Sequence, residues 1–120
     1  MEDREKDKKR VLFVCSANLN RSPKAEEILN SKGEDIIAKS VGLHPLAAVP
    51  ISKEAIEWAD IIVLMDEKNE KQKSALFEMF SDEKLKQKDI RVLGIPDIYP
   101  KEDPELEKVL INKLKEEGLV

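Results

Sequence analysis

The chain has one cysteine, one histidine, one tryptophan and one tyrosine in 120 residues. A lone cysteine excludes an internal disulfide and a cysteine-based zinc cluster, so the thiol is either a small core hydrophobe or a chemical group. The lone histidine, His44, offers no metal constellation and is expected in a loop or at the surface. Aromatics make up only 4% of the chain, so the core must be aliphatic, built from Ile, Leu, Val and Ala. No apolar run approaches transmembrane length, and the N-terminus carries no apolar segment of the secretory type. The expected setting is a reducing cytoplasm, with no membrane partner. There is also no excess of positive charge. The formal net charge is -4 with both signs interspersed, which gives no general field for nucleic acid, so any anion site must be local.

The length suits one domain with a real core, and neither a repeat nor a low-complexity linker divides it. Residues 1–9 mix charges without periodicity and are expected to form a flexible tail, leaving 10–120 as the domain. Within that tail Glu2, Asp3, Glu5 and Asp7 offset the basic run Lys8-Lys9-Arg10.

From about Arg10 to Val14 the run is apolar on both faces and reads as a buried strand. A helix is expected from Ser22 to about Ser31, stopping near Gly33, with Ala25, Ile28 and Leu29 on one side and Pro23 in its first turn. Ile36 to Ala38 reads as a second strand, with Ser40-Val41-Gly42 as a loop; Leu46 to Val49 has no assignable structure. Ser52 is expected to cap a short helix bearing Ala55, Ile56 and Ala59. Ile61 to Met65 is a third strand, and Asp66 is a candidate cap for a helix that ends in Leu76, Phe77, Met79 and Phe80. Trp58, Phe77 and Phe80 are assigned to packing. Ser81 to Asp89 reads as a charged connection, helical in part. Ile90 to Leu93 is a fourth strand. Asp103, Pro104 and the series Leu106, Val109, Leu110 and Leu114 then define a final helix that Gly118 ends. Strands alternating with helices imply an α/β fold, a parallel sheet with helices on both faces, and ligands beyond the carboxyl ends of the strands.

Cys15 stands at one such end, opening the stretch Cys15-Ser-Ala-Asn-Leu-Asn-Arg-Ser22. A thiol between a strand and a helix N-terminus faces backbone N–H groups and the positive end of the helix dipole, which favours the thiolate over the thiol and binds phosphate. Arg21 adds a planar fork for two phosphate oxygens, a geometry lysine lacks. Ser22 can donate a hydroxyl hydrogen bond to the sulfur. The residues thus point to Cys15 as a nucleophile that attacks phosphorus; the bland alternative is a core thiol beside a surface arginine.

The stretch Val14 to Pro23 resembles the active-site loop of the low-molecular-weight protein tyrosine phosphatase family. The resemblance extends to Ala38-Lys-Ser-Val-Gly42, to Ala59-Asp-Ile-Ile-Val-Leu-Met-Asp66 and to Ile95-Pro-Asp-Ile-Tyr99, in the family's order. It implies a four-stranded parallel sheet of order 2-1-3-4, no metal or cofactor, and a two-step phosphomonoester hydrolysis through phosphocysteine. It further implies that Cys15 attacks, that Arg21 and the loop residues Ser16, Ala17, Asn18, Leu19, Asn20 and Ser22 hold the phosphate, and that Asp97 is the general acid. Asn18 and Ser40 match residues that hydrogen-bond each other to shape the loop, and Tyr99 matches an aromatic wall. The implied partners are a phosphotyrosine protein or a small aryl phosphate, with phosphate and vanadate as anions.

This chain departs from the family in placing Ala17 at a loop glycine, Asn20 at the loop's second cysteine, and Ile98 at a proline. Without that second cysteine, Cys15 has no partner for reversible disulfide protection. The segment between Gly42 and Ser52 is also shorter than the family's. Asp103 is the rival for the acid, although its place before a proline at a helix start is already explained as a cap. Two further readings of the whole remain open: a cysteine phosphotransfer module, and a non-catalytic phosphate-binding protein.

Overall fold

The computed structural model describes residues 8–32, 35–66, 71–80 and 83–120. The expected tail through residue 7, the helix stop at Gly33 and the start of the charged connection at residues 81–82 lie outside them. In chain order the elements are β1 (Lys9–Cys15), α1 (Arg21–Lys32), β2 (Ile36–Gly42), α2 (Lys53–Trp58), β3 (Ile61–Leu64), α3 (Gln72–Met79), α4 (Glu83–Lys86), β4 (Asp89–Val92) and α5 (Pro104–Glu116).

The sheet is parallel throughout and ordered β2-β1-β3-β4, as expected. β1 lies inside it, paired on both edges, which is why Val11 to Val14 are apolar on both faces and fully buried. Side-chain alternation sends Val11, Phe13 and Cys15 to one face. There they meet Ala25, Ile28 and Leu29 of α1 and Leu106, Leu110 and Leu114 of α5. Leu12 and Val14 face the other way, against Ile56, Leu76 and Leu85 of α2, α3 and α4. Each large side chain so enclosed contributes roughly 1.5–3 kcal/mol relative to exposure.

β3 and β4 each end one residue earlier than the sequence suggests, at Leu64 and Val92, and α2 stops before Ala59; two larger differences have tertiary reasons. β2 runs on through Ser40, Val41 and Gly42 because β1 extends beside it as far as Cys15, and pairing overrides the weak strand preference of serine and glycine. Asp66 does not cap α3. That helix begins six residues later, after Lys71 in a left-handed conformation, and Asp66 instead accepts the Gln72 N–H through its main-chain oxygen at 3.2 Å. The two caps read at Ser52 and Asp103 do form: their side chains accept the N–H of Ala55 at 3.1 Å and of Glu105 at 2.9 Å. Gly118, at φ 72°, follows α5 in the left-handed conformation that favours glycine.

Candidate active site

β1 ends at Cys15 and α1 begins at Arg21, so residues 16–20 form a loop at the carboxyl edge of the sheet. Asn18 takes the left-handed conformation, φ 57°, which an asparagine tolerates. Ala17, at the position of the family's glycine, does not adopt positive φ, so its side chain meets no backbone penalty there.

The loop's carbonyls are held from outside. Leu43 N–H donates to Cys15 O at 2.9 Å, His44 N–H to Ser16 O at 2.9 Å, and Ala48 N–H to Ala17 O at 3.1 Å. In a trans peptide the C=O of one residue and the N–H of the next point in opposite directions. Fixing three successive carbonyls outward therefore turns the N–H groups of Ser16, Ala17 and Asn18 inward. The third of these confirms the geometry, since Asn18 N–H donates to Cys15 Sγ at 3.2 Å. Successive inward N–H groups beside a helix N-terminus form an anion cradle.

Residues 43–49 do this work, and the stretch Leu46 to Val49 among them has no assignable structure in the sequence because this segment's role is pairing with residues about thirty positions away. A bridge between Gly42 and Pro50 and a bond from Val49 N–H to Asn18 Oδ1, 3.1 Å, complete the brace. Its fit depends on Gly42, where a Cβ would lie 2.5 Å from Ala47 Cβ and 2.7 Å from the Ser16 carbonyl oxygen. Gly42→Ala is thus expected to destabilise the protein by about 1–3 kcal/mol and to weaken vanadate binding. Thermal unfolding and an inhibition titration check both effects.

Around the sulfur, Ser22 Oγ lies 2.9 Å from Cys15 Sγ, and Asn18 Nδ2 donates to that same oxygen at 2.9 Å. Val41 O is 3.4 Å from the hydroxyl, a longer alternative for its hydrogen. With a thiolate at Cys15 the hydroxyl is the only donor between the two, as the residues suggested. The expected Asn18–Ser40 bond is not formed. Ser40 Oγ donates to Glu26 Oε1 at 2.6 Å, while Asn18 spends its amide on Ser22 and Val49. The brace brings the Val49 amide close enough to take the Asn18 oxygen, which leaves Ser40 to fasten β2 to α1.

Arg21 is 1% exposed; its Nη1 donates to Ile95 O at 2.8 Å, and its Nε stands 3.7 Å from Asp97 Oδ1. The loop after β4 is thereby brought to the same edge as Cys15, with Asp97 half exposed. Asp103 instead caps α5. Tyr99 is partly buried against the core under α1 and α5, so more of Ile98 faces solvent, 69% exposed. Leu19, in the loop after Cys15, is 61% exposed. His44 Nδ1 accepts the Leu46 N–H at 3.0 Å, a turn contact that accounts for it as a loop residue.

One participant went unread in the sequence. Gln72, fully buried at the start of α3, accepts the N–H groups of Met65 and Asp66 through Oε1, both at 2.9 Å, and donates to Ser16 Oγ at 3.3 Å. A glutamine in a helix's first turn carries no local signal of such a bridge. Among the described residues, no group of three or more His, Cys, Asp or Glu side chains stands together to hold a metal ion.

No family model and no curated protein matches the chain. Solved structures do. The low molecular weight protein tyrosine phosphatase SP-PTP of Streptococcus pyogenes matches 90% of this chain and 92% of its own, at 21% identity and a TM-score of 0.69. The low molecular weight protein tyrosine phosphatase of T. tengcongensis matches 91% and 99%, at 24% identity and 0.68. The YwlE arginine phosphatase of Geobacillus stearothermophilus matches 92% of each chain, at 25% identity and 0.66. The protein has the fold of the low-molecular-weight protein tyrosine phosphatases over nine-tenths of its length.

Proposed function

We propose that the protein is a metal-independent phosphomonoester hydrolase that works through phosphocysteine. The observation that carries this reading is the set of inward N–H groups around Cys15 Sγ, with Arg21 and Asp97 at the same edge. In the first step the thiolate attacks phosphorus, the S–P bond forms, and the ester P–O bond breaks as Asp97 gives its proton to the leaving oxygen. The cradle and the Arg21 fork balance the charge on the equatorial oxygens. In the second step Asp97, now a carboxylate, takes a proton from water, whose oxygen attacks phosphorus. The S–P bond breaks, and the Ser22 hydroxyl stabilises the departing thiolate.

The substrate we assign is an aryl phosphate, phosphotyrosine in a protein or a small ester. Leu19 and Ile98 put exposed apolar surface on the two loops that bear the phosphate and acid residues. Such a rim suits an aromatic ring better than a cationic guanidinium, the group that a phosphoarginine would present. A phosphotransfer carrier or a passive phosphate binder has less use for an arginine and an acid together. Among the described residues no helix is long and apolar enough to cross a membrane, and a reducing cytoplasm is the setting that suits a lone thiolate.

Purified protein is expected to hydrolyse p-nitrophenyl phosphate at full rate in excess chelator and to be inhibited by vanadate. It should prefer phosphotyrosine peptides to phosphoarginine peptides. Failure to turn over either p-nitrophenyl phosphate or phosphotyrosine peptides would overturn the reading, and a preference for phosphoarginine, a phosphoramidate with a P–N bond, would overturn the substrate class.

A further inference from the structure

Asn20 occupies the position just before α1, where an asparagine ordinarily turns its side-chain oxygen onto the second or third N–H of its own helix. Here Asn20 uses its main-chain oxygen on α1, accepting the Lys24 N–H at 3.1 Å. Its Oδ1 goes elsewhere, accepting the backbone N–H of Lys101, 81 residues along the chain, at 3.0 Å.

That bond fastens one end of the loop that carries Asp97. The other end is fastened by the neighbouring residue, since Arg21 Nη1 donates to Ile95 O at 2.8 Å and Ile95 N–H in turn donates to Met65 O at 2.7 Å. Residues 96–100 therefore span two anchors set on adjacent residues of the phosphate loop. Within that span Asp97 is half exposed, and among the described residues its ion pair is the 3.7 Å approach of Arg21 Nε, too long for a hydrogen bond. The position of its carboxylate is thus set by where its loop is anchored more than by its own contacts. Lys101 Nζ, 3.1 Å from Glu27 Oε1, supports the same anchor on α1.

We propose that Asn20 is a positioning residue for the general acid: its side-chain oxygen anchors the Asp97 loop to the phosphate loop, so that the acid and the cradle move as one body. The inference rests on the phosphatase reading. A general acid supplies about 10²–10⁴-fold, and only when it reaches the leaving oxygen, so releasing one anchor forfeits part of that factor.

The test has two readouts. The first is backbone amide exchange. Lys101 N–H is expected to be protected in the wild type, to lose at least about tenfold of that protection in Asn20→Ala, and to keep it in Asn20→Asp, which retains an acceptor oxygen. The second is turnover of a series of aryl phosphates. Asn20→Ala should lose about tenfold more kcat with a poor leaving group, such as phenolate, than with p-nitrophenolate. That extra sensitivity should vanish when Asp97→Ala is already present, because the acid through which Asn20 acts is gone. Asn20→Asp should keep the wild-type leaving-group dependence of kcat, while its added negative charge beside the anion site raises KM.

An unprotected Lys101 in the wild type would overturn the anchor. Equal losses for all leaving groups, or an undiminished effect of Asn20→Ala in the Asp97→Ala background, would overturn the positioning role alone. A wild type that turns over no ester, with Lys101 protected, would overturn the phosphatase reading and the positioning role with it.

Discussion

Cys15→Ser is expected to lower turnover of p-nitrophenyl phosphate by on the order of 10⁴-fold or more, with little change in folding. Removal of a nucleophile that acts in concert with its neighbours typically costs most of the rate enhancement. The side chain is buried at the end of β1 between Ser22 Oγ and the Asn18 N–H, and a serine hydroxyl can keep both contacts. Stability should therefore stay close to wild type, which separates a lost nucleophile from a lost fold. A kinetic assay with a thermal melt on the same preparation reads both. Retained turnover in Cys15→Ser would assign the chemistry to another group.

The second large effect distinguishes the two acid candidates. Asp97→Ala should slow cleavage of poor leaving groups by about 10²–10⁴-fold and that of p-nitrophenolate much less, because only a basic leaving oxygen needs the proton. Asp103→Ala should instead cost about 1 kcal/mol of stability, since the Asp103 side chain caps α5 through the Glu105 N–H and Pro104 follows it. Its leaving-group dependence should match the wild type. A leaving-group series and a denaturant titration on both variants check this, and equal kinetic effects would contradict the assignment of Asp97.

The parallel sheet was legible because β1 and β3 are buried on both faces, which leaves long apolar runs in sequence, and two helix starts were legible because the caps at Ser52 and Asp103 act locally; the strand order rested on the family resemblance alone. The loop after Cys15 was legible for a related reason: a strand, a loop and a helix start meet there within a dozen residues. What could not be read depends on distant partners. The continuation of β2 through Ser40 and Gly42 is imposed by β1, and the brace from residues 43–49 forms against the loop after Cys15. Ser40 illustrates the limit of resemblance. The residue type persists, but its hydroxyl serves Glu26 because the shortened segment places the Val49 amide on Asn18. Asn20 shows the converse. By position it reads as a missing cysteine, whereas in three dimensions it supplies a hydrogen bond that a thiol could make only weakly.

Those two changes share a physical theme. The loop that carries Cys15 is held by backbone and amide hydrogen bonds on its outer side, from residues 43–49, and by Asn20 and Arg21 on the side of the Asp97 loop. In the proposed mechanism, preorganisation of this kind would let the cradle present its N–H groups without rearrangement when charge develops on the phosphoryl oxygens. The lone thiol has no neighbouring cysteine to protect it from oxidation, so activity should depend on a reducing medium.

Rapid-quench peptide mapping during turnover of p-nitrophenyl phosphate tests the central claim most directly. The account predicts a phosphoryl group on Cys15, formed with release of the first equivalent of p-nitrophenolate and absent from Cys15→Ala. Turnover with no phosphorylated enzyme at any time, or with the phosphoryl group on another residue, would contradict it.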